Sequence, residues 1–409
     1  MKWQLLPFEE LYLIPSRNGI NRPSRMRGNG YKMINMGELF AYGRIRNPDM
    51  ELVPLNSREI EEFGVETGDL LFARQSLIAS GAGKCSIVVE VPEITVFEGH
   101  LIRVRLDQTK ADPLFYYYFF SSHEGNGSIQ SLVMQVAAAG IRGSELAKLP
   151  VPLPPIDIQR RIASILSAYD DLIENNNRRI ALLEESMRLL YREWFVRLRF
   201  PGHEHVRVTD GLPEGWERKG IGDIVNESRD LVDPNEIEPD TPYVGLEHIP
   251  RKSISLSNWG KASDVASSKF RFHQDDILFG KIRPYFHKVV FAPVDGICSS
   301  DTIVYRASYP EFFGFALAVI SSEDFVNFTS KTSKEGAKMP RANVTEMKMF
   351  PILFPKSEIL REFIKIVVNL TKQISNLLFT NNKLSEARDL LLPRLMSGEI
   401  DVSWEGVLP

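Results

Sequence analysis

The segment LPVPLPPIDIQRRIASIL, residues 149–166, places four prolines directly before an apolar pattern with helical spacing. Proline lacks a backbone N–H and fixes φ, so the proline stretch cannot lie inside a helix, whereas the residues that follow can begin one. The segment FPILFPKSEILREFIKIV, residues 350–367, repeats this step 201 residues later. We therefore expect each proline stretch to end a globular region and to begin a long, rigid helix.

The two halves of the chain form an internal repeat. A shift of 201 residues also aligns LEESMRLLYREWF, which starts at Leu183, with LSEARDLLLPRLM, which starts at Leu384. Earlier in each half the shift is 207 residues, between GDLLFAR (68–74) and DDILFGK (275–281). A shift that first varies and then stays constant predicts that each half holds a variable domain, which tolerates insertions, followed by a helix of fixed length.

Apolar residues recur at intervals of three and four along both helical segments, which is the pattern of a coiled-coil seam. A helix of about 40 residues is about 60 Å long, so its own domain alone cannot cover its apolar stripe. We therefore predict that the two helices pair antiparallel and act as a spacer. The predicted helix-pairing residues are Ile158, Ile162, Ile165, Leu172, Leu183, Leu190, Leu360, Phe363, Val367, Leu370, Ile374, Leu384 and Leu391.

Asparagines interrupt both seams, at 175–177 in the first helix and at 381–382 in the second. A buried asparagine in a coiled coil fixes the register of the helices at a cost in stability. The alternative is a local break between two shorter helices, and the pattern favours the two equally. Pro393, which lies where the first copy has Arg192, predicts that the second helix bends or ends early.

The composition indicates a globular protein of more than one domain. At 409 residues the chain is expected to hold two to three domains. No apolar run reaches the length of about 18 residues that spans a bilayer, and the N-terminal segment has no signal-peptide pattern. The only cysteines are Cys85 and Cys298, which excludes a disulfide scaffold and a four-cysteine zinc site. We expect a cytoplasmic protein.

The regions outside the helices mix strand patterns with apolar helix patterns, so the predicted fold class is α+β: two similar globular domains separated by two long antiparallel helices, related by an internal pseudo-twofold repeat. The predicted division is a first domain at 1–155, a first spacer helix at 156–200, a linker at 201–211, a second domain at 212–355, and a second spacer helix with a C-terminal tail at 356–409.

No motif for catalysis, cofactor binding or metal binding is evident. ASGAGKC, residues 79–85, resembles a phosphate-binding loop, but Ile78 and Cys85 occupy the places that need glycine and Ser or Thr. His203 and His205 flank a glutamate in the linker, where solvated polar residues are more typical than metal ligands. We therefore predict a chain with no catalytic residues, no cofactor and no metal, which acts by binding.

The charge distribution indicates what is bound. The net charge of −4 argues mildly against a nucleic-acid partner. However, residues 17–46 hold seven arginines and lysines against one acid, and GKIRPYFHK, residues 280–288, holds four basic residues and no acid. The acids are concentrated elsewhere, notably in 51–69 and 230–247, which explains the negative total. Arginine and lysine on loops are what contact with DNA phosphates and guanine edges requires, although a solvated surface is the alternative for each cluster.

The predicted DNA-binding residues are Arg22, Arg25, Arg27, Lys32, Arg74 and Lys84 in the first half, and Lys281, Arg283, His287, Lys288, Lys334, Lys338 and Arg341 in the second. Two similar domains on a rigid spacer predict that double-stranded DNA is read at two places, about 34 Å apart if the domains occupy successive major grooves. Because the domains differ in sequence, the two half-sites should differ too.

Three further segments carry a resemblance that covers essentially the whole chain: WFVRLRFPG (194–202), LPEGWE (212–217) and LLPRLMSGEID (391–401). In these segments and in its order of domains the chain resembles the specificity (S) subunits of type I restriction–modification systems. The resemblance implies that each variable domain is a target recognition domain for one half of a bipartite, asymmetric DNA sequence. It also implies that the helix lengths set the spacer between the half-sites.

The resemblance further implies protein partners: two methyltransferase (M) subunits, and restriction (R) subunits in the full complex. S-adenosylmethionine, ATP and magnesium would bind those subunits and not this chain. Two other hypotheses remain from the sequence. One is a scaffold that binds only proteins, and the other is a fused restriction–modification enzyme, against which the missing methyltransferase and nuclease motifs argue.

Overall fold

The structure is a computed structural model that describes residues 3–76, 81–135, 139–333 and 339–402. The chain divides into two compact units, the first formed by Met1–Leu172 with Leu384–Pro409 and the second by Ile173–Lys383. Both units combine helices with sheets, so the α+β prediction is confirmed. In the described part of the chain, no helix has the length and apolarity needed to cross a membrane.

The first unit holds thirteen strands: β1 (Gln4–Pro7), β2 (Tyr12–Asn18), β3 (Tyr31–Ile34), β4 (Arg44–Arg46), β5 (Glu51–Val53), β6 (Leu70–Ala73), β7 (Gln75–Ser76), β8 (Cys85–Glu90), β9 (Thr95–Phe97), β10 (Leu101–Leu106), β11 (Met134–Gln135), β12 (Ala139–Gly140) and β13 (Pro150–Leu153), counted within the described residues. Its helices are α1 (Met36–Ala41), α2 (Ser57–Phe63), α3 (Pro113–Ser121), α4 (His123–Gln130), α5 (Gly143–Ala147) and the first part of the long helix α6 (Ile156–Tyr191). The main sheet has the strand order β2-β10-β6-β8-β4, and smaller sheets have the orders β5-β3-β9, β11-β12-β7 and β1-β13.

The second unit holds the strands β14 (Val208–Thr209), β15 (Leu212–Pro213), β16 (Glu217–Gly220), β17 (Val225–Ser228), β18 (Leu231–Val232), β19 (Pro242–Val244), β20 (Gly260–Lys261), β21 (Lys269–Phe272), β22 (Ile277–Gly280), β23 (Val289–Phe291), β24 (Gly296–Cys298), β25 (Thr302–Ala307) and β26 (Pro351–Phe354). Its helices are α7 (Phe313–Ile320), α8 (Glu323–Lys331), α9 (Val344–Lys348) and most of the long helix α10 (Ser357–Met396). The sheets have the orders β17-β25-β22-β23, β18-β21-β24-β19-β20, β14-β15 and β16-β26.

The two units repeat the same strand order, as the sequence repeat predicts. The series β2-β10-β6-β8 in the first unit corresponds to β17-β25-β22-β23 in the second, and β5-β3-β9 corresponds to β20-β19-β24. The strand directions also agree: β3 pairs parallel with β9 in the first unit, and the equivalent strands β19 and β24 pair parallel in the second. Corresponding loops in the two units can therefore be compared directly.

Each proline stretch is an edge strand that closes its unit. β13 pairs antiparallel with β1, and β26 pairs antiparallel with β16. In a strand, the N–H groups of residues two positions apart point to the same edge. Pro150 and Pro152, which both lack an N–H, can therefore both face the edge of β13 that has no partner strand, where no donor is needed. The start of each globular region is thus tied to the strand that leads directly into a long helix.

The long helices pair inside each unit. In the first unit Ile162 and Leu166 of α6 share a core with Leu395 of α10. In the second unit Ile180 of α6 shares a core with Phe363 of α10. Because the beginning of α6 meets the end of α10 and the end of α6 meets the beginning of α10, the pairing is antiparallel, as predicted.

Most predicted pairing residues are buried or half-buried in these two cores. They are Ile158, Ile162, Ile165, Leu183, Leu190, Leu360, Phe363, Val367, Leu370, Ile374 and Leu391. Leu172 is a correction, because its side chain is 51% exposed. The inner face of α6 there carries Asp170, and a residue two positions further lies about 200° around the helix. Leu384 is half-buried but does not belong to either core.

The prediction for Pro393 is also wrong in part, because α10 continues through it to Met396. Proline in a helix removes one backbone hydrogen bond and crowds the carbonyl four residues earlier. Pro393 lies so close to the end of α10 that only the last turn is affected, and the N–H of Ser397 still donates to its carbonyl at 3.0 Å.

Candidate nucleic-acid interface

The basic loop of the second unit, residues 281–288, connects β22 to β23 and has a strained backbone. A single 3-10 turn, Pro284–Phe286, lies between Arg283 and His287, which both adopt the left-handed conformation, with φ of 50° and 53°. This conformation costs roughly 1–3 kcal/mol for a residue other than glycine, and persists only where the surroundings enforce it. The N–H of Arg283 donates to the carbonyl of Pro340 at 2.8 Å, which holds one end of the turn.

Cations and aromatic rings are stacked on this loop. The guanidinium of Arg251 lies 3.8 Å from the ring centroid of Phe286, and that of Arg283 lies 5.7 Å from it. The neighbouring Tyr285 is 54% exposed. Exposed rings with guanidinium groups are suited to contact with phosphates and bases. Arg251 was missed from the sequence, where the adjacent Arg-Lys pair at 251–252 was the available signal.

Two predicted DNA-binding residues of this loop are turned inward. The Nε2 atom of His287 lies 2.9 Å from the carbonyl oxygen of Ser321, and burial lowers the pKa of this imidazole. The Nζ of Lys288 donates to the carbonyl of Leu246, and burial lowers its pKa as well. Both half-buried side chains therefore help to hold the loop in place, and their contact with DNA stays a prediction.

The structure brings Lys281, Arg283 and Arg341 together. Residues 282 and 341 form an antiparallel bridge, and the N–H of Ala342 donates to the carbonyl of Lys281 at 2.9 Å. Arg341 is exposed and lies 3.5 Å from Asp301. The predicted residues Lys334 and Lys338 lie outside the described residues.

The matching connection of the first unit, between β6 and β8, carries Arg74 and Lys84. Lys84 corresponds to Lys288, because Lys84 directly precedes β8 and Lys288 directly precedes the equivalent strand β23. The backbone carbonyl of each lysine also accepts a hydrogen bond from the last residue of the strand before the loop, at 2.9 Å for Lys84 and 2.8 Å for Lys288. The Nζ of Lys84 also donates inward, to the carbonyl of Phe40 at 2.9 Å, and burial lowers its pKa. Among the described residues, the Arg74 side chain makes one long hydrogen bond, 3.4 Å, to the carbonyl of Gly99.

The predicted basic cluster of the first half is largely neutralised by acids. Arg22 binds Glu59 at 2.5 Å and Arg27 binds Glu51 at 2.7 Å. The hydrogen bond from Arg22, with a second from the backbone N–H of Asn56, lowers the pKa of Glu59. The acidic stretch that makes the net charge negative thus lies against the basic one.

Two members of this cluster differ in how accessible they are. Lys32 binds Glu93 at 2.7 Å and Asn47 at 2.7 Å. Arg25 is exposed and makes no ion pair within the described ranges. It is therefore the member of the cluster best placed to meet a phosphate.

Neither cysteine is placed for chemistry. Cys85 and Cys298 are both buried and free. Burial raises the pKa of the Cys85 thiol, and it raises the pKa of Cys298 to about 12. A thiol with such a pKa is almost entirely protonated at neutral pH and is a poor nucleophile.

The sequence of this chain is similar to the specificity subunits of type I restriction enzymes. The sequence model of the family described as "Type I restriction modification DNA specificity domain" matches residues 16–185. The type I restriction enzyme MjaIX specificity subunit of Methanocaldococcus jannaschii is 25% identical over 306 residues, which span 70% of this chain and 69% of that protein. The EcoDI specificity subunit of Escherichia coli is 22% identical over 301 residues, which span 66% of each chain.

A solved structure shares the fold. The crystal structure of the S subunit of a type I restriction–modification system from M. genitalium superposes with a TM-score of 0.59 at 16% identity, covering 97% of this chain and 96% of that one. At this level of identity the likeness concerns the fold alone.

Proposed function

We propose that this chain belongs to the family of type I restriction–modification specificity subunits, which its sequence resembles, and that it is the DNA-reading subunit of such a complex. It reads a bipartite, asymmetric target, with one recognition domain for each half-site. The two recognition domains are residues 1–155 and 212–355, and the spacer helices lie within 156–200 and 356–409.

The observation that carries this proposal is the shared position of the two basic loops. In both units the loop joins equivalent strands of equivalent sheets, β6 to β8 and β22 to β23. The loops differ in sequence and length, as expected of two domains that read different half-sites. A scaffold that binds only proteins gives no reason for cations to recur at this connection.

The residues that contact DNA follow from their exposure and partners. In the second domain Lys281, Arg283 and Arg341 meet the DNA, together with Arg251, which the sequence did not single out. Of the predicted residues in the first domain, Arg25 and Arg74 have the weakest contacts with the described part of the chain, whereas Arg22, Arg27 and Lys32 reach phosphates only if they leave their acids.

The remaining parts of the complex supply the chemistry. Two methyltransferase subunits dock on the chain and carry out methylation, and restriction subunits join the full complex in the cytoplasm. The number of residues in α6 and α10, 36 and 40, sets the number of base pairs between the half-sites. No catalytic step is assigned to this chain.

Gel shift of the assembled complex on random-sequence DNA, with a salt titration, tests the proposal. A DNA reader loses affinity steeply with salt, with a log–log slope of about −0.9 for each phosphate neutralised. A protein scaffold gives no such slope. Methylome sequencing of a host with and without the gene then gives the target, and a methylation motif without two separated parts would contradict bipartite reading.

A further inference from the structure

Glu184 of α6 is a buried carboxylate that binds a segment of the second recognition domain. Its side chain is 4% exposed. Its Oε1 atom accepts hydrogen bonds from the Ser253 hydroxyl at 2.7 Å, the Ile254 N–H at 3.1 Å and the Ser255 hydroxyl. Three donors on consecutive residues thus converge on one helix side chain.

Arg188 lies one turn further along the same helix and binds the residue that directly precedes these three, Lys252. Its Nη1 atom donates to the carbonyl of Lys252 at 3.0 Å. Lys252 has a φ of 57°, which is the left-handed conformation. Such backbone strain is retained where neighbouring contacts enforce it, and Arg188 supplies one of those contacts.

The held segment, residues 251–255, is in turn bound to the basic loop. The N–H of Lys252 donates to the carbonyl of His287 at 2.9 Å. The N–H of Phe291, on the strand that follows the loop, donates to the carbonyl of Ile254 at 3.1 Å. These contacts place Arg251 over the ring of Phe286, in the middle of the loop.

We propose that Glu184 and Arg188 are positioning residues for the second half-site: they fix segment 251–255, which fixes the basic loop against DNA. The inference rests on the proposed function. Neither side chain needs to touch DNA. Glu184 acts through hydrogen bonds whose loss would leave buried donors unpaired, so the segment cannot shift without a penalty. A loop that is displaced by about 1 Å no longer presents its cations in register with base edges.

The test uses the assembled complex and DNA selected from a random library. Wild type, Glu184→Gln, Arg188→Ala and Arg188→Lys are compared with Glu362→Gln, which makes the same chemical change at an exposed position of α10. Arg283→Ala identifies the half-site that the second domain reads. Sequencing the selected DNA gives the base preference at each position, and a salt titration gives the number of phosphate contacts.

We expect Glu184→Gln and Arg188→Ala to lose about tenfold in base preference at the half-site that Arg283→Ala alters, with the other half-site and the salt slope unchanged. Arg188→Lys keeps a donor and should restore most of the preference, and Glu362→Gln should match wild type. The Arg188 side chain is 37% exposed, so its variants keep the test valid if Glu184→Gln does not assemble.

Unchanged preference in both Glu184→Gln and Arg188→Ala would overturn the inference, and so would an equal loss at both half-sites, which indicates general destabilisation. The proposed function fails by a different result, namely that the wild-type complex itself selects no bipartite sequence.

Discussion

The side-chain amide of Asn176 donates a hydrogen bond to the side-chain oxygen of Asn381 at 2.8 Å, and both side chains are only 7% exposed. Asn381 donates in turn to Asn177 at 2.9 Å. Both long helices are continuous through these positions. The asparagines therefore form a polar layer within the helix pair, and the alternative of a break between shorter helices is excluded.

Asn381→Ala should lower the free energy of unfolding by about 1–3 kcal/mol, because it leaves the buried amide of Asn176 without its acceptor. Replacing both partners, in Asn176→Leu with Asn381→Leu, should cost less than the sum of the single changes, since no polar group is then left unpaired. Urea unfolding followed by circular dichroism measures all three. Asn175→Ala, at the exposed neighbouring position, is the control and should be near neutral; a loss as large as that of Asn381→Ala would contradict a role for the polar layer.

Arg25→Ala should weaken DNA binding by the assembled complex equally on target and random sequences, and should reduce the salt slope by about one, as expected for loss of one phosphate contact. Lys110→Ala removes a cation from the loop before α3, where Lys110 already pairs with Asp107 at 3.3 Å, and should leave the slope unchanged. Fluorescence anisotropy over a range of salt concentrations gives the slopes. Identical slopes for Arg25→Ala and wild type would place this residue away from DNA.

Glu51→Gln combined with Glu59→Gln should strengthen binding to DNA of any sequence. The change releases Arg27 and Arg22 from their ion pairs, and each arginine that finds a phosphate steepens the salt slope by about 0.9. The same anisotropy titration measures the effect, with Glu10→Gln as an exposed acidic control. If affinity and slope stay as in wild type, the first basic cluster does not face the duplex.

His287 predicts a loss of stability in mild acid. Burial lowers the pKa of its imidazole in the folded chain. The Ser321 carbonyl and Glu323 raise this pKa, but by less than burial lowers it. As pH falls through the unfolded value, about 6.5, the unfolded chain binds a proton that the folded chain resists, so the free energy of unfolding decreases.

The measurement is the urea midpoint between pH 7.5 and pH 5.5. His287→Gln should show a smaller decrease over this range than wild type, whereas His205→Gln should behave like wild type because that side chain is 85% exposed. Parallel curves for wild type and His287→Gln would show that this histidine does not contribute.

Features encoded by local spacing were predictable from the sequence. The proline stretches, the 3.5-residue seam and the constant shift of 201 residues predicted both long helices, which begin at Ile156 and Ser357, and the repeat of the α+β domain. Leu172 was placed wrongly because a regular seam was extrapolated past Asp170, where the inner face of α6 becomes polar. Periodicity identifies a face, but the packed partners decide which residue of that face is covered.

The sequence by itself determined the repeat and the two long helices, and it carried the resemblance to specificity subunits, because prolines, apolar periodicity and motif residues act through neighbours close along the chain. Only the tertiary structure decided which cations are paired with acids or backbone carbonyls. The partners of Arg22 and Arg27 lie 37 and 24 residues away, and Lys84 and Lys288 are turned to backbone carbonyls 44 and 42 residues away. Whether a charge meets solvent or a counter-charge depends on distances that the fold creates between remote parts of the chain.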